Sequence, residues 1–431
     1  LTEVVETSTE SPLLLRWMRR IVLASVLLLP MAVSPGEVSF REPKEMVMRA
    51  EALLLVGAIA IFAVLGRPWR LPIHAHHRWL ALTAAIVIWT AITALFAANH
   101  IVAFESFVWV VTLAIIFCVT VVVARDAPLW FAALPLIPMA LNVAAVFVQE
   151  RGIWSIFRIA SHDRTLLRTA FVGNPNDLGS YLLLGVLSAA ALAIVHRRGR
   201  LLFALATIVG VIGIMLAQTL TAMIALVTAV VAFGIVRSLR TAILTVVLLA
   251  AGIAAASYVA PQIGYRYARL RDAVMNRSFD EIVSYRTTAN VAAAMMFADN
   301  PVLGVGPGGF KYSYFDYKTR AEDEFPSLRK SEARRWNFAE VHNDHLQVAS
   351  QTGIIGYALF LLACLYVAWS SRRASKVSDD VRERYAATLG VPLIAAFFVL
   401  ALAQFPLELA AVSHTLVFYV ATIIAWSGEA S

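Results

Sequence analysis

A chain of 431 residues with 60% hydrophobic and only 15% charged side chains has too little polar surface to fold in water. The net charge of +8 is spread over many short loops, which argues against a nucleic-acid-binding face. Two cysteines, Cys118 and Cys364, both inside apolar runs, provide neither a disulfide framework nor metal-site spacing.

The apolar residues fall into runs of about 18–20, the length at which a helix crosses roughly 30 Å of hydrocarbon. In chain order the predicted spans are 20–35, 46–65, 79–97, 104–124, 128–148, 177–195, 201–217, 219–236, 241–259, 353–370, 385–403 and 411–427. The expected fold is therefore all-α: a polytopic membrane protein of about twelve transmembrane helices. Three units follow. Residues 1–259 carry spans 1–9 with an outer loop near 149–176, residues 260–352 form an outer helical domain, and residues 353–431 carry the last three spans. The first span is short and preceded by Arg16, Arg19 and Arg20, as in a signal peptide cleaved near Ser34; Pro35 argues against that cleavage.

Short loops set the orientation. Arg16, Arg19 and Arg20, then Arg67, Arg70 and Arg78, Arg125, Arg197–Arg200, Arg237 and Arg240, and the run from Arg372 to Arg384 all fall on one side. The alternating loops near 98–103, 218–219 and 404–410 contain no Lys or Arg. The positive-inside rule makes the first set, and both termini, cytoplasmic. The segment 260–352 has twelve Lys or Arg against eleven Asp or Glu, and long domains cross membranes largely regardless of charge.

Within this segment, Gln262 to Glu281 suits an interfacial helix, with Arg266 and Arg269 reaching headgroup phosphates. A second helix is expected from near Ser284 through Arg286 to Ala298, stopped by Asn300-Pro301. The glycines at 304, 306, 308 and 309 form a turn-rich connector without the Gly-Lys-Ser/Thr of a phosphate loop. A third helix is expected from Arg334 to Gln351, placing His342 near the membrane surface.

His342 is the candidate proton-transfer residue, able to take or orient the proton of a sugar hydroxyl. His345, one helical turn on, would allow a metal pair instead, although zinc normally takes three protein ligands. Both histidines could equally be interfacial residues with no role beyond solvation. Arg164, Arg168 and Arg286 are candidate phosphate ligands, since a guanidinium fork matches phosphate oxygens. Their competing reading is contact with lipid headgroups or surface carboxylates. Asp379-Asp380 lies on the predicted cytoplasmic side and reads as a solvated charge run.

The run Asn300-Pro-Val-Leu-Gly-Val-Gly-Pro-Gly-Gly-Phe310, followed by His342-Asn-Asp-His-Leu-Gln347 and Gln351-Thr-Gly-Ile-Ile-Gly356, resembles the O-antigen ligase and polymerase superfamily of bacterial lipopolysaccharide assembly. Gly173-Asn174-Pro175-Asn176 resembles a further family element. The resemblance implies a periplasmic helical domain between helices 9 and 10 and a multi-pass inner-membrane enzyme. Its implied substrates are undecaprenyl-diphosphate-linked O-antigen and the lipid A-core oligosaccharide, with membrane lipids around it, no nucleic acid, no nucleotide sugar and no metal or other cofactor. It maps the family histidine to His342 and a diphosphate-binding arginine to Arg286, with Arg168 and Arg164 as outer-loop candidates. Asn174, Asn176, Asn343, His345 and Arg266 are possible supporting residues. Two departures stand out: Gln218-Thr-Leu-Thr221 replaces a Ser-Arg pair, and Gln351 stands where many members have Glu.

The leading expectation is transfer of O-antigen to a lipid A-core hydroxyl, by direct attack with inversion. A polymerase or a protein O-oligosaccharyltransferase would share the donor and change the acceptor. A lipid-linked glycan transporter is the reading from a different class; the scarcity of charge in the spans, Arg49 and Glu51 apart, weighs against it.

Overall fold

A computed structural model describes residues 12–34, 40–67, 77–153, 168–237, 271–272, 275–276, 285–330, 336–374 and 379–428. The α-helices among them are α1 Pro12–Leu28, α2 Arg41–Val64, α3 Arg78–Leu95, α4 His100–Ala124, α5 Leu136–Glu150, α6 Pro175–Val195, α7 Arg200–Ala217, α8 Leu220–Arg237, α9 Thr287–Asp299, α10 Gly309–Glu324, α11 Asp344–Ala374, α12 Val381–Ala401 and α13 Ala410–Trp426. Among the described residues eight segments are long and apolar enough to cross a membrane, and Leu220–Ile235 and Ala410–Trp426 are shorter apolar helices. The chain is thus a multi-pass membrane protein. The expected ninth span, 241–259, and the helix expected over Gln262 to Glu281 lie outside the described residues, apart from short pieces of the latter.

The first predicted span, 20–35, falls on α1, which begins earlier, at Pro12, and is not among the helices long and apolar enough to cross a membrane. Arg16, Arg19 and Arg20 sit inside α1 because their long stems carry the charge out to polar partners. Arg19 Nε donates to the Val123 carbonyl at 3.1 Å, and Arg20 lies over the Trp17 ring at 5.3 Å. At that same end Arg382 donates to the Arg125 carbonyl at 3.1 Å and Trp426 to that of Ala124 at 2.7 Å. Three of the predicted basic connectors therefore meet at one end of the bundle.

At the centre run α6 and α13. Both are apolar on nearly every side, the pattern of a helix enclosed by others. Glycines let neighbours approach: Gly185 of α6 faces Met139 of α5, and Gly213 of α7 faces Val143. One ionisable pair is sealed inside, His414 Nε2 and Glu51 Oε2 at 2.7 Å, joining α13 to α2.

The end opposite the basic connectors carries the cap. Ala289, Ala292, Ala293 and Met296 of α9 pack on Phe310 and Tyr314 of α10 and on Val341, forming a small core of their own. The glycine run fastens this cap to the bundle. Val305 N donates to Ser350 O at 2.8 Å, Gly306 N to Gln351 O at 3.0 Å and Gly308 N to Gln351 Oε1 at 3.1 Å. These carbonyls are free because α11 breaks at Gly353, whose φ of 67° and ψ of −170° are nearly exclusive to glycine. Ile354 N, released by the same break, donates to Pro301 O at 2.8 Å. The connector is therefore a docking turn whose amides are spent on α11.

The helix expected from Arg334 to Gln351 is shorter than the sequence suggested. Residues 336–343 are not helical and α11 starts at Asp344, because Asn343 accepts the Leu346 amide at 3.2 Å and caps the helix there. His342 and His345 are consequently not one helical turn apart.

A side chain at 353 would meet both the forbidden backbone region and the Val302 carbonyl. Gly353→Ala should cost at least about 1–3 kcal/mol from the backbone alone. The expected readout is a lowered melting temperature in detergent with early proteolysis of the cap; an unchanged melting temperature would contradict this account of the break.

Candidate functional site

His342 adopts φ 58°, in the left-handed region that non-glycine residues rarely enter. The remaining described non-glycine residues with positive φ are Ala170, Gln218 and Tyr285, all in connectors at this end of the bundle. Backbone strain of this kind gathers where surrounding contacts over-determine a loop. Here the contacts are explicit. Val341 N donates to Gln347 Oε1 at 2.9 Å, while Gln347 Nε2 donates to Glu408 Oε1 at 2.9 Å. Leu407 N donates to Asp344 Oδ2 at 3.0 Å. The loop bearing His342 is thus clamped onto the 3-10 turn Pro406–Glu408 between α12 and α13.

Aromatic rings finish the seat. Phe405 meets the imidazole edge-on at 4.4 Å between centroids, and Phe338 does so at 5.7 Å. His342 Nδ1 is buried and has no hydrogen-bond partner among the described residues. Arg286 stands immediately before α9 and donates from Nη1 to the Ala403 carbonyl at 2.5 Å, two residues before Phe405. Burial, and secondarily the Arg286 charge, push the His342 imidazole down to about 3. Burial lowers Arg286 to about 10, against the pull of Asp177, so the guanidinium remains charged at neutral pH. Burial and the nearby Glu340 raise the Glu408 carboxyl. A neutral imidazole with one unpartnered ring nitrogen thus stands beside a fixed cation.

The other expected site residues are placed differently. Arg168 is committed to Glu150, with hydrogen bonds of 2.5 and 3.0 Å. Arg164 and Arg266 lie outside the described residues. Asn174 caps α6 by accepting the Asn176 amide at 2.8 Å, and the Asn176 carbonyl accepts from Ser180. His345 is turned to the Phe398 carbonyl at 3.1 Å and the Tyr357 hydroxyl at 3.3 Å, so it is no partner for His342 in a metal pair. Among the described residues no three His, Cys, Asp or Glu side chains are grouped to hold a metal ion. Of the three candidate arginines, the structure brings Arg286 to His342.

Phe405, Gln347 and Glu408 were not expected to shape the site. Glu408 also marks the rim of an apolar cavity of about 360 Å³ enclosed by α3, α4, α11, α12 and α13. That cavity runs from Pro307, Ser106 and Gln351 at the capped end towards Trp79, Tyr366 and Ile424, near the basic end.

Fold and site together define a multi-pass helical membrane protein with a polar, histidine-bearing site at one end, beside a small helical cap. Residues 205–361, which contain both Arg286 and His342, match the family model of O-antigen ligase. The match covers 157 of the 431 residues, so over that segment the chain is similar to the O-antigen ligase family. No curated protein matches the chain.

An unfolded imidazole near 6.5 takes a proton that the folded one refuses down to about pH 3. The unfolded state therefore binds more protons across this window, and stability contributed by a neutral His342 is lost as pH falls from 7 towards 4. The melting temperature of His342→Gln should fall less over that interval than that of the wild type. Equal falls would show that the ring is not held neutral by its surroundings.

Proposed function

We propose that the protein is an O-antigen ligase, moving glycan from undecaprenyl diphosphate to a sugar hydroxyl of lipid A-core. The observation that carries this reading is the neutral, unpartnered His342 nitrogen beside charged Arg286, both inside the family-matched segment. In the reaction the acceptor hydroxyl gives its proton to His342 as its oxygen attacks the anomeric carbon. The bond from that carbon to the diphosphate oxygen breaks, and the electron pair leaves on phosphate, where Arg286 stabilises the new charge. Single displacement inverts the anomeric centre.

A pKa near 3 suits a hydrogen-bond acceptor better than a resting base. A bound diphosphate offsets the Arg286 charge and so raises the basicity of the imidazole when the donor is in place. The apolar cavity beneath Glu408 offers hydrocarbon surroundings for part of the polyprenyl tail. The active face is periplasmic in this reading, the basic connectors face the cytoplasm, and the membrane is the inner one. The cap, the 260–352 segment of the sequence, is then the periplasmic domain.

Purified protein given undecaprenyl-diphosphate O-antigen and lipid A-core, with chelator and no nucleotide, should transfer the glycan. His342→Ala should lower the rate by about 10²–10⁴, the usual loss for a removed acid–base group. Growth of lipid-linked chains without transfer to lipid A-core would make the protein a polymerase, and binding of the lipid without either product would favour transport. The kcat/KM profile reports the free enzyme, so it should show no inflection near pH 6.5. An inflection there in wild type, absent from His342→Gln, would contradict the neutral-imidazole site.

A further inference from the structure

A second cavity, of about 170 Å³, lies where α2, α6 and α13 begin. Arg41, Lys44, Asn174, Asp177, Phe405 and Leu409 are among the residues that line it. Phe405 is shared with the site already described, since its ring also meets His342. This cavity therefore adjoins the proposed reaction centre, from elements outside the family-matched segment.

Its two basic side chains are not equivalent. Lys44 is buried and spends all three ammonium hydrogens on the carbonyls of Ala32, Phe40 and Phe171, at 2.7, 2.8 and 2.7 Å. It has no donor left for a ligand, but it fixes a positive charge at the cavity wall, with the Asp177 carboxylate close by. Arg41 is different: its side chain is 44% exposed and its fork is held by oxygens that another oxyanion can replace. Nε donates to Glu45 Oε1 at 2.9 Å, Nη1 to Glu340 Oε1 at 2.6 Å, and Nη2 to the Glu408 carbonyl at 3.4 Å. Glu45 stands one turn further along the same helix. Glu340 comes from the loop that bears His342, two residues before it.

We infer that Arg41 is a second diphosphate-binding cation of this site, and that Glu340 occupies it until the donor's phosphate oxygens take its place. The inference rests on the donor assigned under the proposed function. Carboxylate and phosphate oxygens suit the same guanidinium fork, so the exchange needs no new cation. Water reaches the pair from the Arg41 side, which is 44% exposed against 15% for Glu340, and a diphosphate brings more negative charge than the carboxylate it displaces. Lys44, with no donor to offer, adds attraction at the wall without competing for the fork. Release of Glu340 also loosens the loop at His342, which links donor binding to placement of the imidazole.

The test is binding of undecaprenyl diphosphate to the full chain in detergent, with undecaprenyl monophosphate and inorganic diphosphate as parallel probes. Arg41→Gln should weaken the lipid diphosphate about 10- to 100-fold, the scale of a lost charge-assisted contact. Glu340→Gln should tighten it by about 3- to 10-fold through removal of the competing oxyanion, and should do nothing once Arg41 is Gln. The monophosphate should depend less on Arg41, and inorganic diphosphate should show the same Arg41 dependence at weaker affinity. Dependence for inorganic diphosphate alone would overturn the inference, because Arg41 would then serve a free anion. Equal binding by wild type and an equally stable Arg41→Gln would overturn it too, while leaving the Arg286-based reading intact. No lipid-diphosphate binding by wild type would instead remove that reading, and this inference with it. Where Arg41→Gln does not fold, Glu340→Gln decides: unchanged or weaker binding overturns the inference.

Discussion

A helix buried in hydrocarbon cannot leave a backbone amide or carbonyl unpaired, because each costs several kcal/mol. The break in α11 at Gly353 meets that constraint only because the 301–308 turn supplies its partners. Ser350 O, Gln351 O and Ile354 N, freed by the break, are all taken by this turn. The same bonds that repair α11 anchor the start of α10, and α10 with α9 and Val341 forms the core of the cap. His342 follows Val341 directly. The position of the imidazole thus depends, through two short steps, on a glycine eleven positions later in the sequence.

The polar end of the bundle is electrically balanced before any substrate arrives. Arg41, Lys44 and Arg286 stand among Asp177, Glu340 and Glu408, and each influences others in the set. Balance keeps unpaired charge from being buried, which would cost far more than a hydrogen bond returns. It also means that an anionic ligand has to displace a carboxylate or exploit a cation that is only partly satisfied. The Glu51–His414 pair is a different case. With the side chains 0% and 1% exposed, it is sealed from both cavities described here and joins α2 to α13. The helix carrying Arg41 is thereby tied to the one that follows Glu408.

Much of this was legible in the sequence, for reasons that differ from element to element. Long apolar runs located most spans because hydrocarbon thickness fixes their length, and Arg19, Arg125 and Arg382 do gather at one end. Asn300-Pro301 and the glycines announced the docking turn. The helix around His342 was misjudged because periodicity carries no information about the Asn343 cap, which cuts it at Asp344. Arg41 and Lys44 were missed because the second span was started at 46, after them; the helix begins at Arg41 and its first turn is charged. Glu408 and Phe405 lie more than sixty residues beyond His342 in a loop without Lys or Arg, and only tertiary packing brings them to it. A charged first turn on an otherwise apolar helix, and a lone carboxylate in such a loop, were the available signals.

Under the proposed reaction, the electrostatics also order the substrates. While the donor is absent, burial and, secondarily, the Arg286 charge leave His342 too weak a base to draw a proton from a hydroxyl, so an acceptor arriving first would find no catalyst. A donor diphosphate cancels part of that positive field and strengthens the imidazole in the same step. The cation that adds to burial in weakening the base in the empty site is the one that stabilises the leaving group during transfer. Activation of the nucleophile then follows from occupancy by the electrophile.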